Sequence, residues 1–229
     1  MEYLNKWLSS QCNVLDINKY FFGIRDDKKQ NSINYKLMSS QYGYLIHHHK
    51  GELPQSILSS CSHRTGIPID YLKNRIYCEI GFYYLKIKCE TNNAIKYFQK
   101  AIDNHSAEGL FLLSLIYCDG EEFDKAIELC ERSALEPPKI QLLHNKGVIA
   151  NYRVHEAQYH VGHLYSKTKK DYTKTFNYYL MSAENGNTRG AYVTSMMYKK
   201  GVGCQRDEEN SKKYLLKAKV NVKQQQHQE

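Results

Sequence analysis

Hydrophobic residues recur at helical spacing in four similar segments between residues 74 and 219. Each segment has two apolar stretches separated by a polar loop that contains Gly, Asn or Asp, a pattern that predicts a pair of helices. The first stretch closes on a tyrosine, and the steps between these tyrosines are 33, 48 and 33 residues. They are Tyr84, Tyr117, Tyr165 and Tyr198. This regular spacing indicates internal repeats.

A second register supports the same alignment. In each segment the second stretch opens on a small residue, and a bulky residue follows three positions later. The small residues are Ala94, Ala126, Thr175 and Ser211, and the bulky ones are Tyr97, Leu129, Tyr178 and Tyr214. Small residues opposite large ones allow two antiparallel helices to approach closely. Because one helix pair cannot bury its apolar face alone, the pairs must stack, and the sequence predicts an all-α fold, an α-solenoid of stacked antiparallel helix pairs.

The predicted solenoid occupies residues 74–219, with repeats 1 to 4 at about 74–106, 107–136, 156–188 and 189–219. Residues 1–73 contain helical-looking pieces without a clear repeat, and we expect them to form a helical cap over the first repeat. Residues 220–229 are a polar tail. An insertion at 137–155 interrupts the repeat spacing, and we expect it to form an additional helix after Pro137 and Pro138, which cannot continue the preceding helix.

Parts of repeats 3 and 4 resemble the Sel1-like repeat family, whose members are relatives of the tetratricopeptide repeat. The resemblance is carried by EAQYHVGHLY at 156–165, by DYTKTFNYYLMSAENGN at 171–187 and by the Gly-rich turn MYKKGVG at 197–203. Asp207 stands where the family has an acidic residue that opens the second helix. The resemblance implies a solenoid of helix pairs. Because members of the family mostly mediate the assembly of protein complexes, it also implies a role in protein binding.

Charge and composition narrow the possible functions. Lys and Arg outnumber Asp and Glu by 32 to 24, but this excess of +8 is spread along the chain, whereas a nucleic-acid-binding protein usually concentrates it on one face. No apolar run approaches the roughly 18 residues of a membrane span. The seven cysteines include no CxxC pair, so we expect reduced thiols and a cytoplasmic location.

The sequence contains no recognisable catalytic or nucleotide-binding motif, so we expect a protein that is not an enzyme and has no cofactor. The best metal candidate is the set of Glu156, His160 and His163, which helical spacing places on one face. Solvated polar side chains explain the same residues without a metal. Cys204, beside Arg206 in the Gly-rich turn, is a candidate reactive thiol, with an incidental loop cysteine as the alternative.

The first helix of every repeat is expected to line the concave face of the solenoid, where such folds bind their partners. The positions nine, five and two residues before each closing tyrosine face away from the packed stripe. The predicted partner-binding groove therefore consists of Arg75, Glu79, Phe82, Glu108, Leu112, Leu115, Glu156, His160, His163, Arg189, Val193 and Met196. Alternatively, Leu112 and Leu115 belong to the core and the charged members form a solvated surface.

These observations predict a non-catalytic scaffold or adaptor that binds other proteins, as peptide segments or folded partners, in this groove. One alternative is a metal- or cofactor-binding assembly factor that uses Glu156, His160 and His163. The other is a basic RNA-binding repeat protein, whose affinity for RNA would fall steeply with salt.

Overall fold

The computed structural model describes residues 50–52, 54–144 and 147–226, without the side chains of residues 57 and 221–226. The predicted N-terminal cap up to residue 49 and the end of the predicted polar tail at 227–229 lie outside the described residues. The chain divides into two compact units. The N-terminal unit comprises the described residues up to Ser106 together with Gln141–Ile149, and the C-terminal unit comprises Ala107–Ile140 and the chain from Ala150 onward.

In the N-terminal unit the described helices are α1 (Gln55–Thr65), α2 (Ile69–Tyr83) and α3 (Thr91–Asp103). A π-helical turn, Tyr84–Lys88, extends α2. Helices α2 and α3 pack against each other and form repeat 1. The first helix of this repeat begins at Ile69, before the predicted boundary at residue 74.

In the C-terminal unit the described helices form a ladder in which each packs against the next along the chain. They are α4 (Ala107–Asp119), α5 (Phe123–Leu135), α6 (Val154–Leu164), α7 (Tyr172–Glu184), α8 (Thr188–Lys200) and α9 (Glu208–Gln226). A second π-helical turn, Tyr165–Lys169, extends α6. Repeats 2, 3 and 4 are the pairs α4–α5, α6–α7 and α8–α9, which confirms the predicted solenoid of helix pairs.

Small and large residues meet along the seam of each pair, as the sequence predicts. The small residues that open the second helices, Ala94, Ala126, Thr175 and Ser211, are all buried. The tyrosine that closes the first helix stacks on the tyrosine of the second helix in repeats 1, 3 and 4, with ring centroids 5.6, 5.9 and 5.7 Å apart. In repeat 2 the bulky residue of the second helix is Leu129, so this tyrosine pair is not formed there.

The insertion between repeats 2 and 3 is a β-hairpin, and the prediction of an additional helix there is wrong. Strands β1 (Lys139–Gln141) and β2 (Val148–Ala150) pair in a two-stranded sheet, so the fold is mostly rather than entirely helical. The physical reason is that β-branched residues, Ile140 in β1 and Val148 and Ile149 in β2, favour an extended backbone. Helix α5 ends at Leu135, before the two prolines, as expected. The backbone N–H of Asn151 donates to Pro138 O (2.8 Å) and closes the base of the hairpin.

The Gly-rich turn between α8 and α9 forms as the resemblance implies. Gly201 and Gly203 have φ of 68° and 69°, in the left-handed region that favours glycine. A Cβ on Gly203 would lie 1.9 Å from the backbone oxygen of Tyr172, so the turn lies directly against the start of α7. Asp207 then caps α9, because its carboxylate accepts a hydrogen bond from the backbone N–H of Asn210 (2.9 Å).

Helix α9 runs 19 residues to Gln226, past residue 220, where the polar tail was predicted to begin. Its sequence is rich in Lys and Gln over the last three turns. None of the helices in the described part of the chain, α9 included, has the length and apolarity needed to cross a lipid bilayer.

Candidate protein-binding surface

The predicted groove residues of repeat 1 lie on α2. Arg75 Nη2 lies 3.0 Å from Glu79 Oε1 one helical turn away, and these side chains are only 12% and 5% exposed. Phe82 is half-buried. Glu79 is therefore an enclosed partner of Arg75 and does not present its carboxylate to a binding partner.

The predicted groove residues of repeat 2 lie mostly inside the protein. Glu108 is 3% exposed in the first turn of α4, where the positive end of the helix dipole stabilises a carboxylate. Leu112 is 5% exposed, which supports the core alternative for this residue, and Leu115 is half-buried. Glu79, Glu108 and Leu112 are thus removed from the predicted groove. The reason is that counting back from a tyrosine identifies a helix face but not whether other helices cover that face.

The predicted residues of repeats 3 and 4 are brought together in the C-terminal unit. Those of α6 are Glu156, His160 and His163, and those of α8 are Arg189, Val193 and Met196. His160 lies close enough to Glu156, His163 and Arg189 for their charges to act on its pKa. His163 and Arg189 are exposed, whereas the other four are half-buried.

The sequence prediction missed one position on this face, six residues before each closing tyrosine. In repeat 3 it is Tyr159, which is half-buried, and in repeat 4 it is Tyr192, which is 52% exposed. The signal was available, because Arg189, Tyr192 and Val193 have the spacing of one helix face. We name the helix-A surface the set of His160, His163, Arg189, Tyr192, Val193 and Met196.

The helix-A surface carries positive charge from Arg189 and a neutral imidazole at His160. Burial lowers the pKa of His160, the charges of His163 and Arg189 lower it further, and Glu156 opposes them. The ring of His160 packs edge-on against Phe111 of α4, with centroids 5.2 Å apart. The carboxylate of Glu156 pairs with the guanidinium of Arg153. Arg189 is exposed, and its guanidinium keeps a positive charge at every physiological pH.

The metal candidate on α6 is the set of Glu156, His160 and His163. Among the described residues, no three His, Cys, Asp or Glu side chains are grouped as they must be to hold a metal ion. The carboxylate of Glu156 is turned to Arg153 instead of sharing a ligand position with His160 and His163. The three residues share a helix face without converging on one point.

Cys204 lacks the environment of a reactive thiol. It is half-buried beside the cluster of Phe176, Tyr179 and Met197. Burial raises the pKa of the Cys204 thiol, and the carboxylate of Asp207 raises it further. A reactive cysteine needs the opposite shift, toward the thiolate.

Comparison with protein families identifies the repeats. The Sel1 repeat model matches residues 90–106, 107–136, 155–187 and 189–219. The first match covers only the second helix of repeat 1, and the other three cover both helices of repeats 2, 3 and 4. The chain is a Sel1-repeat protein.

Two solved structures of bacterial proteins have a similar fold. A Sel1 repeat protein from Oxalobacter formigenes is similar with a TM-score of 0.52 at 16% identity, over 93% of this chain and 82% of that one. A protective antigen of uropathogenic Escherichia coli strains, which displays an SLR fold, has a TM-score of 0.50 at 17% identity, over 97% of this chain and 50% of that one. No curated protein matches the sequence. At this level of identity the likeness concerns the fold alone.

Proposed function

We propose that this Sel1-repeat protein is a non-catalytic scaffold or adaptor that binds other proteins through the helix-A surface. The observation that carries the proposal is the stripe on α8, where exposed Arg189 and Tyr192 lie beside half-buried Val193 and Met196. Tyr, Met and Arg are enriched at the centres of protein interfaces, whereas Lys and Glu are depleted there. An exposed aromatic ring beside two apolar side chains therefore favours a protein interface over a purely solvated surface.

The stripe suits a polypeptide segment that carries apolar side chains and a carboxylate. Its apolar groups would pack on Tyr192, Val193 and Met196, and its carboxylate would pair with the guanidinium of Arg189. The charge pair fixes the orientation of the segment, and the apolar contacts supply most of the binding free energy. His163, exposed at the end of α6, extends the polar rim of this surface.

The proposal places the protein in the cytoplasm. Cys61, Cys78, Cys89, Cys118, Cys130 and Cys204, the cysteines among the described residues, are free thiols. Reduced thiols are usual in a compartment that keeps glutathione reduced. Burial raises the pKa of the Cys130 thiol to about 12, and this side chain packs as a small apolar group.

The test compares two variants that make the same chemical changes on different faces of the C-terminal unit. The first, Arg189→Glu/Tyr192→Ser, changes the helix-A surface. The second, Arg132→Glu/Tyr172→Ser, changes exposed residues of α5 and α7. Full-length chains are immobilised, incubated with native extract, and the bound proteins are quantified by mass spectrometry. Circular dichroism and thermal melting verify that both variants fold like the wild type.

We expect the wild type and Arg132→Glu/Tyr172→Ser to retain the same partner. The amount of this partner bound by Arg189→Glu/Tyr192→Ser is expected to be at least about tenfold lower. This factor corresponds to about 1.4 kcal/mol, a modest loss for removing an interface Tyr and Arg together. A partner that both variants retain equally would contradict the assignment of the helix-A surface. A chain that retains no protein in any form would contradict the scaffold function.

A further inference from the structure

Helix α9 exposes apolar side chains on the face that points away from α8. Leu216 is 63% exposed and Val220 is 42% exposed, one helical turn apart. Lys212 and Lys219 are exposed on the same stripe, at helical spacing from Leu216. We name these four residues, Lys212, Leu216, Lys219 and Val220, the α9 end face.

The repeat alignment gives this face a counterpart inside the protein. Tyr178 of α7 and Tyr214 of α9 occupy the same position, since each follows a buried small residue by three. Counting from these tyrosines, Leu216 matches Leu180 and Val220 matches Glu184. By the same count Lys212 matches Phe176 and Lys219 matches Ala183.

All four counterparts on α7 contact the following repeat. Leu180 packs against the cluster of Ala183, Ala191, Tyr214 and Ala218. Glu184 accepts hydrogen bonds from Tyr214 Oη and from Lys217 Nζ (3.1 Å). The ring of Phe176 meets that of Tyr198 edge-on, with centroids 5.0 Å apart. The α9 end face is therefore built from the positions that stack one repeat on the next.

Two of the four positions are apolar in α7 and positively charged in α9. Phe176 and Ala183, which are buried and uncharged in α7, are replaced by Lys212 and Lys219 in α9. An apolar pair between two ammonium groups fits an element that brings both apolar side chains and carboxylates. A second copy of this chain is a poor match, because its net charge is +8. An anionic membrane would gain little, since Leu216 and Val220 offer only two apolar side chains for insertion.

We propose that the α9 end face docks an amphipathic helix of a partner protein whose apolar stripe is flanked by carboxylates. The partner helix packs on α9 at the positions that α7 uses to contact repeat 4, with its apolar side chains on Leu216 and Val220. Its carboxylates pair with Lys212 and Lys219. This site is separate from the helix-A surface, since α9 contributes no residue to that surface.

The test measures binding of two synthetic peptides to the purified full-length chain by fluorescence anisotropy. Both peptides are amphipathic helices of about 20 residues, long enough to be partly helical alone. They share one leucine stripe and differ only in its flanks, which are Glu in the acidic peptide and Lys in the basic peptide. We expect the acidic peptide to bind at least tenfold more tightly than the basic one, with an affinity that falls as salt is raised.

Three variants locate the binding site. Leu216→Ser/Val220→Ser is expected to lower the affinity for the acidic peptide at least tenfold. Lys212→Glu/Lys219→Glu is expected to reverse the preference, so that the basic peptide binds more tightly. Lys167→Glu/Lys170→Glu, a matched change at exposed lysines after α6, is expected to keep the wild-type preference. All the substituted side chains are exposed, so unchanged circular dichroism and melting are expected for each variant.

The proposal is overturned if the two peptides bind alike, or if Leu216→Ser/Val220→Ser leaves the affinity unchanged. It is also overturned if sedimentation shows a self-association of the wild type that this double variant abolishes, because the face would then join two copies. Tighter binding to phosphatidylserine vesicles than to the acidic peptide, lost in the same variant, would assign the face to a membrane instead.

Discussion

At the scale of single residues, each helix pair depends on a small side chain three positions before the closing tyrosine. This position is Gly81, Ser114, Gly162 or Ser195 in repeats 1 to 4, and every one is buried. An aromatic ring of the second helix lies against both glycines: a Cβ would be 2.5 Å from Phe98 in repeat 1 and 3.0 Å from Tyr179 in repeat 3. The glycines are therefore required for close approach, while their backbone conformation is ordinary helix.

We expect Gly81→Ala to destabilise the protein by about 1–3 kcal/mol, because the new methyl group would collide with the fully buried ring of Phe98. The matched control is Gly120→Ala directly after α4, where the nearest atom to a Cβ is 3.6 Å away. There the smaller entropy of the unfolded chain keeps the change within about 1 kcal/mol of neutral. Urea unfolding followed by circular dichroism measures the free energy of unfolding of both variants. An equal loss of stability in Gly81→Ala and Gly120→Ala would contradict the packing argument.

At the scale of elements, a carboxylate or an amide side chain caps the start of α7, of α8 and of α9. Asp171 Oδ1 accepts from the backbone N–H of Lys174 (2.9 Å) at the start of α7. Asn187 Oδ1 accepts from the backbone N–H of Gly190 (2.9 Å) at the start of α8. These bonds satisfy backbone donors that a helix cannot satisfy itself, so short helices with polar faces begin at defined residues.

We expect Asp171→Ala to reduce the free energy of unfolding by about 1 kcal/mol, through loss of the capping hydrogen bond at α7. Asp171→Asn keeps an acceptor oxygen at the same place and should lose less than half as much. The midpoint of urea unfolding measures the loss, provided that the slope of the free energy against urea concentration is the same in each variant. If Asp171→Asn loses as much stability as Asp171→Ala, the charge of Asp171 rather than its hydrogen bond is responsible for the stabilisation.

At the scale of the C-terminal unit, tyrosine hydroxyls join successive repeats. Tyr165 and Tyr178 of repeat 3 both donate to Glu131 Oε1 of repeat 2, at 2.8 and 2.9 Å. Tyr214 of repeat 4 donates to Glu184 of repeat 3. Burial raises the pKa of Tyr178 and of Tyr214, and the acceptor carboxylates raise it further. The hydroxyls therefore stay protonated and keep donating throughout the physiological pH range.

Two histidines of this unit are expected to make its stability depend on acid pH. Burial lowers the pKa of His155 and of His160 below the ordinary 6.5. A base whose pKa is lower in the folded state binds fewer protons when folded than when unfolded. Its stabilising contribution is thus complete above pH 6.5 and is lost as the pH falls toward the folded-state pKa.

We expect the free energy of unfolding to fall as the pH is lowered from 7 to 5, and to fall less in His155→Gln/His160→Gln. Urea unfolding at a series of pH values gives the slopes. A slope unchanged in the double variant would show that other groups carry the acid dependence.

The repeats were predictable because several residues in each segment report the same packing. The small residues and the tyrosine stacks, which form in repeats 1, 3 and 4, mark contacts within a helix pair. The Gly-rich turn of repeat 4 marks a contact with α7 of repeat 3. The hairpin was not predictable from the repeat spacing, because a run of Leu, Val and Ile fits both a helix and a strand. The hydrogen bond from Leu143 N to Gly66 O (2.7 Å) anchors the hairpin loop to a residue remote in sequence.

The sequence by itself determined the fold class, the helix pairs and the stripe of α6 and α8 that carries five of the six residues of the helix-A surface, all except Tyr192. These follow from spacing along one helix, which depends only on neighbouring residues. Only the tertiary structure decided that Glu79, Glu108 and Leu112 are buried and that Leu216 and Val220 are exposed. Burial depends on which helices cover a face, and that is set by contacts between residues far apart in the chain.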